Sequence, residues 1–172
     1  MPLPPLVLIG PMAAGKTRTG KRLAQRLGMT FHDTDVMVER EHGPIAEIFA
    51  TRGEETFREL ERKAVSAALA AGGVVAFGGG AVLNEDTRSD LADCAVVYLS
   101  TTPEAVSSRL AGDTKRPLLA QDGLAQWERI FRERKPIYEA LGKIHIDTSH
   151  RPMEAVADEL AAWYRSRYGT HE

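Results

Sequence analysis

The chain has 172 residues, of which 43% are hydrophobic and 27% are charged, and its formal net charge is −2. This length predicts one domain over residues 1–172, and the near-neutral charge gives no electrostatic basis for binding nucleic acid or a membrane surface. The single cysteine, Cys94, excludes an intrachain disulfide, which fits a reducing compartment, and the N-terminal apolar run is too short for a signal peptide or a membrane span. We therefore expect a cytoplasmic protein without nucleic-acid or membrane partners, and we expect it to be a monomer.

The first predicted elements are a strand and a helix that surround a glycine-bounded loop. Residues 6–9 are apolar and predict a buried strand. Leu23, Ala24 and Leu27 mark the apolar face of a helix, which ends at Gly28.

The loop between these two elements is the most informative segment of the chain. Residues 10–17 read GPMAAGKT and match the pattern G-x-x-x-x-G-K-[ST]; they are called the phosphate loop below. A strand, a loop and a helix in this order place backbone N–H groups and the positive end of the helix around a polyphosphate. The sequence therefore predicts a nucleoside triphosphate site in which Lys16 reaches the terminal phosphates and the Thr17 hydroxyl ligates Mg²⁺.

Strand and helix patterns alternate along the rest of the chain. Further strands are predicted at residues 29–33, 74–77, 95–99 and 144–146. Further helices are predicted at residues 35–41, 45–50, 54–71, 103–112, around 127–131 and from about 152. Strands that are separated by helices pair in parallel, which predicts an α/β fold with its ligands at the carboxyl ends of the strands.

Acidic residues and glycines follow the predicted strands at this edge of the sheet. Asp33 and Asp35 come after the second strand, where one carboxylate could hold a Mg²⁺-bound water and the other could accept a hydrogen bond from a substrate hydroxyl. A helix cap is the alternative for either residue. Gly78, Gly79 and Gly80 follow the third strand, where bare N–H groups let a ligand approach the backbone, although a plain turn has the same composition.

Three arginines fall in segments that could complete the site. Arg58 lies in the predicted helix 54–71, and Arg134 lies in a charged run. Arg116 lies in the polar segment 112–123, which could close as a lid. A solvated surface position is the usual alternative for each, and the residues alone do not select these three from the other arginines.

The chain resembles the shikimate kinases in the order and spacing of its motifs, from about residue 6 to about residue 152. The shared motifs are the phosphate loop, D-T-D at 33–35, F-R-x-x-E at 57–61, G-G-G at 78–80, R-P-L-L at 116–119 and R-x-P-x-Y at 134–138. The resemblance implies a P-loop kinase fold, which is a three-layer α/β/α sandwich around a five-stranded parallel sheet, with a mobile lid at about 112–123. It also implies transfer of the γ-phosphoryl group of ATP to the 3-hydroxyl of shikimate, a step of aromatic amino acid biosynthesis that uses Mg²⁺.

The resemblance further assigns roles to individual residues. The catalytic residues that it implies are Lys16, Asp35 and Arg116, and the metal-binding residues are Thr17 and, through water, Asp33. The nucleotide-binding residues that it implies are Ala13, Ala14, Gly15, Lys16, Thr17, Arg18, Arg109, Arg116 and Arg151. The shikimate-binding residues that it implies are Asp35, Arg58, Gly78, Gly79, Gly80 and Arg134. These assignments make physical sense, because two guanidinium groups suit the carboxylate of shikimate and a carboxylate suits its hydroxyls.

One residue of the phosphate loop departs from the family pattern. Ala13 stands where the family usually has glycine, and the general pattern does not require glycine there, so we expect ATP binding to be kept while loop geometry and nucleotide affinity are open to change. Two rival functions are a gluconate kinase, which shares the fold and the loop, and a nucleotide-binding regulatory protein that has lost catalysis.

Overall fold

The computed structural model describes residues 2–111 and 123–169. Its strands are β1 (Leu6–Ile9), β2 (Phe31–Asp33), β3 (Val74–Ala76), β4 (Ala95–Ser100) and β5 (Ile144–Asp147). Its helices are α1 (Lys16–Leu27), α2 (Thr34–His42), α3 (Ile45–Ala71), α4 (Glu85–Asp90), α5 (Pro103–Ala111), α6 (Gly123–Leu141) and α7 (Met153–Tyr168). Arg116 and residues 112–122 of the predicted lid lie outside the described residues.

The described strands form one parallel sheet of five, in the order β2-β3-β1-β4-β5. The central strand β1 pairs with β3 through Leu6 and Val74 and with β4 through Leu6 and Ala95. The strands β2 and β3 therefore lie on one side of β1, and β4 and β5 lie on the other side. In open parallel sheets ligands bind at the carboxyl ends of the strands where this order reverses, which is the end of β1 and the phosphate loop that follows it.

Two helical layers cover the two faces of the sheet. In β1, Leu6 and Leu8 face the core that α1 and α7 cover, whereas Val7 and Ile9 face the core that α3 and α6 cover. Because both faces are buried, the strand is a continuous apolar run rather than an alternating one. The predicted three-layer sandwich with a five-stranded parallel sheet is thus confirmed.

Most predicted element boundaries hold to within two residues, and Gly53 explains the division of α3. The sequence predicts separate helices at 45–50 and 54–71, and α3 contains both on either side of Gly53, whose backbone is not helical (φ 85°, ψ 166°). Glycine adopts this positive φ without a steric penalty. Gly123, at the end of the predicted lid, is the first residue of α6, and the lid itself stays a prediction.

The sequence made no prediction for residues 81–93, which form α4 between two 3₁₀ turns, Ala81–Leu83 and Leu91–Asp93. The Asn84 side chain caps α4 by accepting a hydrogen bond of 3.0 Å from the backbone N–H of Thr87. A helix of one and a half turns shows too little apolar periodicity to be read from the sequence. None of the helices in the described part of the chain has the length and apolarity that a membrane span requires.

Candidate active site

Most of the predicted site residues line one cavity of about 1130 Å³ at the carboxyl ends of β1, β2 and β3. The predicted residues on its wall are Ala13, Gly15, Lys16, Thr17, Arg18, Asp33, Asp35, Arg58, Gly78, Gly79, Gly80, Arg109 and Arg134. Ala14 and Arg151 are not on this wall, and Arg116 lies outside the described residues. A smaller cavity of about 500 Å³ lies at the amino ends of the same strands, but its lining includes no ionisable side chain.

The backbone carbonyl groups at residues 10–14 of the phosphate loop are held by side chains. The bonded pairs are Lys16 Nζ with the carbonyls of Gly10 (2.7 Å) and Pro11 (2.9 Å), Trp127 Nε1 with Met12 (2.8 Å), the Arg109 guanidinium with Ala13, and Thr148 Oγ1 with Ala14 (2.8 Å). In a trans peptide the N–H points opposite to the carbonyl, so holding the carbonyls also fixes the direction of the N–H groups. The free N–H groups at the start of α1 add to this arrangement, which is suited to a polyphosphate.

Ala13 adopts the backbone conformation that glycine favours. Its φ is 68°, and it is the non-glycine residue with a positive φ among those described. An L-amino acid in this region costs roughly 1–2 kcal/mol relative to the right-handed conformation. The loop therefore keeps a left-handed residue at this position although the side chain disfavours it.

Lys16 is the first residue of α1, and its ammonium lies at the base of the cavity beside several charges. Burial lowers the pKa of Lys16 from its usual value to about 8, and the negative charges of Asp35 and Asp33 oppose this effect. The Arg134 guanidinium adds to the lowering. The ammonium is thus close to the two carboxylates and to one of the predicted substrate arginines.

Asp33 connects the phosphate loop to the start of α2. Its Oδ2 accepts a hydrogen bond of 2.6 Å from the Thr17 hydroxyl, and its Oδ1 accepts from the backbone N–H groups of Asp35 (2.9 Å) and Val36 (3.2 Å). The helix cap that the sequence left as the alternative for Asp33 is therefore present. The second carboxylate oxygen still faces Thr17, so capping does not remove Asp33 from the cavity.

Asp35 lies in the first turn of α2 and reaches the turn after β3. A Cβ atom at Gly78 would collide with the Asp35 carboxylate, so glycine is what lets the two segments approach. Burial raises the pKa of Asp35 above its usual value, and the nearby charge of Asp33 raises it further. The positive charges of Lys16 and Arg58 lower the pKa of Asp35 only in part, so it stays above its usual value. A carboxylate with a raised pKa is a better proton acceptor than a solvated one.

Arg58 is held in place by an acidic residue one turn further along α3. Its Nη1 donates to Glu61 at 2.9 Å, and the Glu61 side chain is 5% exposed. A weaker ion pair joins Arg58 to Glu54 at 3.4 Å. The guanidinium also packs where a Cβ at Gly80 would lie, so the turn after β3 accommodates this arginine as well.

Arg134 enters the cavity from α6 and approaches the turn after β3. Its Nη1 would lie 3.4 Å from a Cβ built at Gly79. Tyr138, one turn later on α6, donates its hydroxyl to the Gly79 carbonyl at 2.6 Å. The three glycines are thus surrounded by Asp35, Arg58 and Arg134, which the sequence placed far apart.

The arginines predicted to lie beside the nucleotide occupy different positions. Arg109, on α5, reaches the phosphate loop and donates to the Thr148 carbonyl at 3.1 Å. Arg18 is exposed on the rim of the cavity. Arg151 is instead paired with Glu159 at 2.6 Å and is not brought to the cavity wall.

Sequence reasoning missed Trp127 and Thr148, which hold two of the phosphate-loop carbonyls. Trp127 is buried on α6, and its indole N–H also bonds to the loop. Thr148 follows β5 without any motif. Neither contact has a sequence signal, because each depends on packing between segments more than 100 residues apart.

The two halves of the cavity have different chemistry. The half beside the phosphate loop and Lys16 suits a polyphosphate. The half beside Asp35, Arg58 and Arg134 suits a small carboxylate that carries hydroxyl groups. Since phosphoryl transfer needs these two sites side by side, the fold and the cavity define a phosphate-loop kinase of a small molecule.

Comparisons with known proteins agree with this class. The family model described as shikimate kinase matches residues 12–165. A shikimate kinase of Thermobifida fusca (strain YX) is 48% identical over 165 residues, which cover 92% of this chain and 96% of that protein. A shikimate kinase of Salinispora arenicola (strain CNS-205) is 48% identical over 162 residues, which cover 92% of this chain and 96% of that protein.

Solved structures give the same result. The structure of the Acinetobacter baumannii shikimate kinase in complex with shikimate has a TM-score of 0.86 and 33% identity, covering 95% of this chain and 94% of that one. A gluconokinase from Sinorhizobium meliloti 1021 has a TM-score of 0.65 and 18% identity, covering 96% of this chain and 93% of that one, which shows a shared fold alone. The chain belongs to the shikimate kinase family.

Proposed function

We propose that this chain transfers the γ-phosphoryl group of ATP to the 3-hydroxyl of shikimate with the residues of this cavity. It is an ATP-dependent kinase, as its family membership indicates. The observation that supports the residue roles is the position of the Lys16 ammonium. It bonds to the Gly10 and Pro11 carbonyls within the cavity that Asp35 and Arg134 also line, so the phosphate loop and the proposed acid site share one cavity.

In the acid site, Arg58 and Arg134 bind the carboxylate of shikimate. A guanidinium donates paired hydrogen bonds to a carboxylate, and the ion pair with Glu61 holds the Arg58 side chain in place before the substrate arrives. The turn at Gly78, Gly79 and Gly80 allows the ring of the substrate to approach the backbone.

Asp35 accepts a hydrogen bond from the attacking hydroxyl and orients it toward the phosphate loop. Because its pKa is raised, Asp35 is suited to take the proton as the new bond to phosphorus forms. Lys16 stabilises the negative charge on the transferred group, since positioning and charge neutralisation supply most of the catalysis in phosphoryl transfer.

In the nucleotide site, the N–H groups of Ala13, Ala14 and Gly15 bind the phosphates together with Lys16 and Thr17. Arg109 lies beside the base, and Arg18 is a further candidate at the rim of the cavity. The family resemblance also assigns Arg151 to the base, although Arg151 is paired with Glu159 and is not on the cavity wall. Arg116, in the proposed lid, contacts the phosphates when the lid closes and thereby excludes water from the reaction.

Magnesium fits beside the phosphate loop. Thr17 and Asp33 present a hydroxyl and a carboxylate oxygen to each other at 2.6 Å, and such oxygen ligands suit Mg²⁺. The described residues hold no group of three or more His, Cys, Asp and Glu side chains placed to bind a metal by themselves. We therefore propose that Thr17 binds the metal directly and Asp33 binds it through water, with the phosphates as the other ligands. When bound, Mg²⁺ neutralises phosphate charge.

Two further parts of the proposal concern the state of the protein in the cell. We propose that the protein is cytoplasmic, which the lone and buried thiol of Cys94 fits, since such a chain needs no oxidising compartment. We also propose that it acts as a monomer; most described residues of the proposed site line one cavity within this chain.

A coupled assay of ADP release tests the proposed reaction. The acceptors are shikimate, gluconate and none, each measured with excess Mg²⁺ and with EDTA. We expect turnover that requires both shikimate and Mg²⁺, and little turnover with gluconate. Equal turnover with gluconate, or none with millimolar shikimate, would refute the proposed substrate, and ATP binding without any turnover would indicate the regulatory protein instead.

A further inference from the structure

Trp127 joins the phosphate loop to the helix that carries Arg134. Its indole N–H donates a hydrogen bond of 2.8 Å to the Met12 carbonyl, across 115 residues of sequence. The Trp127 side chain is 8% exposed and packs edge-on against Phe131, with ring centroids 5.1 Å apart at an interplanar angle of 75°. Packing on α6 thus fixes the indole ring, and its one polar atom donates a hydrogen bond to the loop.

Met12, whose carbonyl accepts the bond from Trp127, directly precedes the residue of the loop with a strained backbone. Met12 is the exposed member of the phosphate loop, at 53%, and the next residue is Ala13 with its left-handed backbone. Because the peptide between them is trans, fixing the Met12 carbonyl also fixes the Ala13 N–H, which points away from Trp127. Arg109 fixes the following peptide in the same way through the Ala13 carbonyl. The strained residue is therefore held on both sides.

Arg134 lies seven residues after Trp127 on α6, which is close to two helical turns, so both side chains project from the same face. One face of α6 thus contacts the nucleotide loop and supplies an arginine to the acid site. A second tryptophan, Trp163 on α7, packs against Tyr168 with ring centroids 5.9 Å apart. Trp163 does not line the cavity.

We propose that Trp127 is a positioning residue for the nucleotide, which holds the Met12–Ala13 peptide in the phosphate-binding orientation and ties it to α6. This inference rests on the proposed function, because it assumes that the loop binds the phosphates of ATP. The indole N–H acts only through the loop backbone and makes no contact with the reacting atoms.

The first test compares Trp127→Phe with Trp163→Phe by calorimetric titration of ADP and of shikimate. Trp127→Phe keeps an aromatic ring against Phe131 but removes the N–H. We expect its Kd for ADP and its KM for ATP to rise about 3- to 10-fold, the loss typical of one neutral hydrogen bond. We expect the Kd for shikimate alone to stay within 2-fold and kcat to stay within about 3-fold, because the lost contact affects ground-state and transition-state binding of the nucleotide equally. Trp163→Phe is expected to match the wild type in all four quantities.

Fluorescence gives a second readout, which reports whether ADP binding changes the environment of Trp127. The chain has two tryptophans, so Trp163→Phe leaves Trp127 as the fluorophore and Trp127→Phe leaves Trp163. We expect ADP to change the emission of Trp127 and to leave that of Trp163 unchanged. If Trp127→Phe does not fold, replacement of Trp127 by 3-benzothienylalanine keeps the bicyclic shape without the N–H and decides the question.

The outcomes separate this inference from the proposed function. Normal ADP binding by the wild type together with an unchanged ADP Kd in the Trp127 variants would overturn the inference and leave the proposed function intact. An equal rise in the Kd values of ADP and shikimate would also overturn it, since general loosening of α6 affects both ligands. Failure of the wild type to bind ADP would overturn both.

Discussion

Replacement of Arg134 by alanine gives a clean measure of how the acid site binds its substrate. Among the described residues no carboxylate forms an ion pair with Arg134, so no described carboxylate loses its partner in this variant. A hydrogen bond from a charged donor contributes about 1.5–3 kcal/mol, which corresponds to a factor of about 10–150 in an equilibrium constant. We therefore expect Arg134→Ala to raise the KM for shikimate by about 10- to 150-fold and to leave the Kd for ADP within about 2-fold.

Arg132→Ala is the matched control for this measurement. Arg132 is exposed on the same helix two residues earlier and is not on the cavity wall, so its removal makes the same change of net charge without touching the site. Initial rates at varied shikimate and saturating ATP give the KM values, and calorimetry gives the Kd for ADP. A shikimate KM in Arg134→Ala that equals that of Arg132→Ala would refute the assignment of Arg134 to the substrate.

Three other changes test neighbouring parts of the site. Arg58→Ala should lower the free energy of unfolding by about 1–3 kcal/mol because it leaves the buried Glu61 without its partner. Adding Glu61→Gln should restore stability in urea denaturation but not shikimate affinity, and a normal KM in the double variant would show that Arg58 does not bind substrate. Asp35→Asn should lower kcat by about 10²- to 10⁴-fold. In the wild type, kcat/KM should fall at low pH, as Asp35 is protonated at its raised pKa. It should also fall above about pH 8, as Lys16 loses its charge. If Asp35→Asn shows the same fall at low pH as the wild type, the role of Asp35 is contradicted. Ala13→Gly should stabilise the protein by up to about 1.6 kcal/mol, because it relieves a strain of about 1–2 kcal/mol and gives the unfolded chain extra freedom of about 0.4–1 kcal/mol. A lower melting temperature would contradict this.

The fold was predictable where local patterns coincide with burial. The apolar run in β1 is buried on both faces and is therefore continuous, and glycines mark the end of α1 and the break in α3. The helix α4 was not predicted, because its six residues are stabilised by the Asn84 cap and by packing rather than by a periodic apolar face. Local sequence thus predicts an element only when the element is long enough to show its period.

The site was predictable in its motifs but not in the contacts that support them. The phosphate loop was identified from spacing alone, whereas Arg58 and Arg134 could be chosen among the arginines only by resemblance. The bond from Trp127 to Met12 joins residues that are 115 positions apart, so no local pattern reports it. For Arg151 the resemblance and the structure differ. The resemblance assigns Arg151 to the nucleotide, whereas the structure pairs it with Glu159. The assignment of Arg151 to the nucleotide stays a prediction.

The most direct test of the proposed reaction is identification of its product by NMR. Wild-type protein is incubated with ATP, Mg²⁺ and shikimate, and the product is examined by phosphorus–proton correlation. Because Asp35 is proposed to orient a single hydroxyl toward the phosphate loop, we expect one phosphomonoester whose phosphorus couples to the proton on C3 of the shikimate ring. Coupling to the proton on C4 or C5, a mixture of esters, or release of inorganic phosphate without any ester would contradict the account.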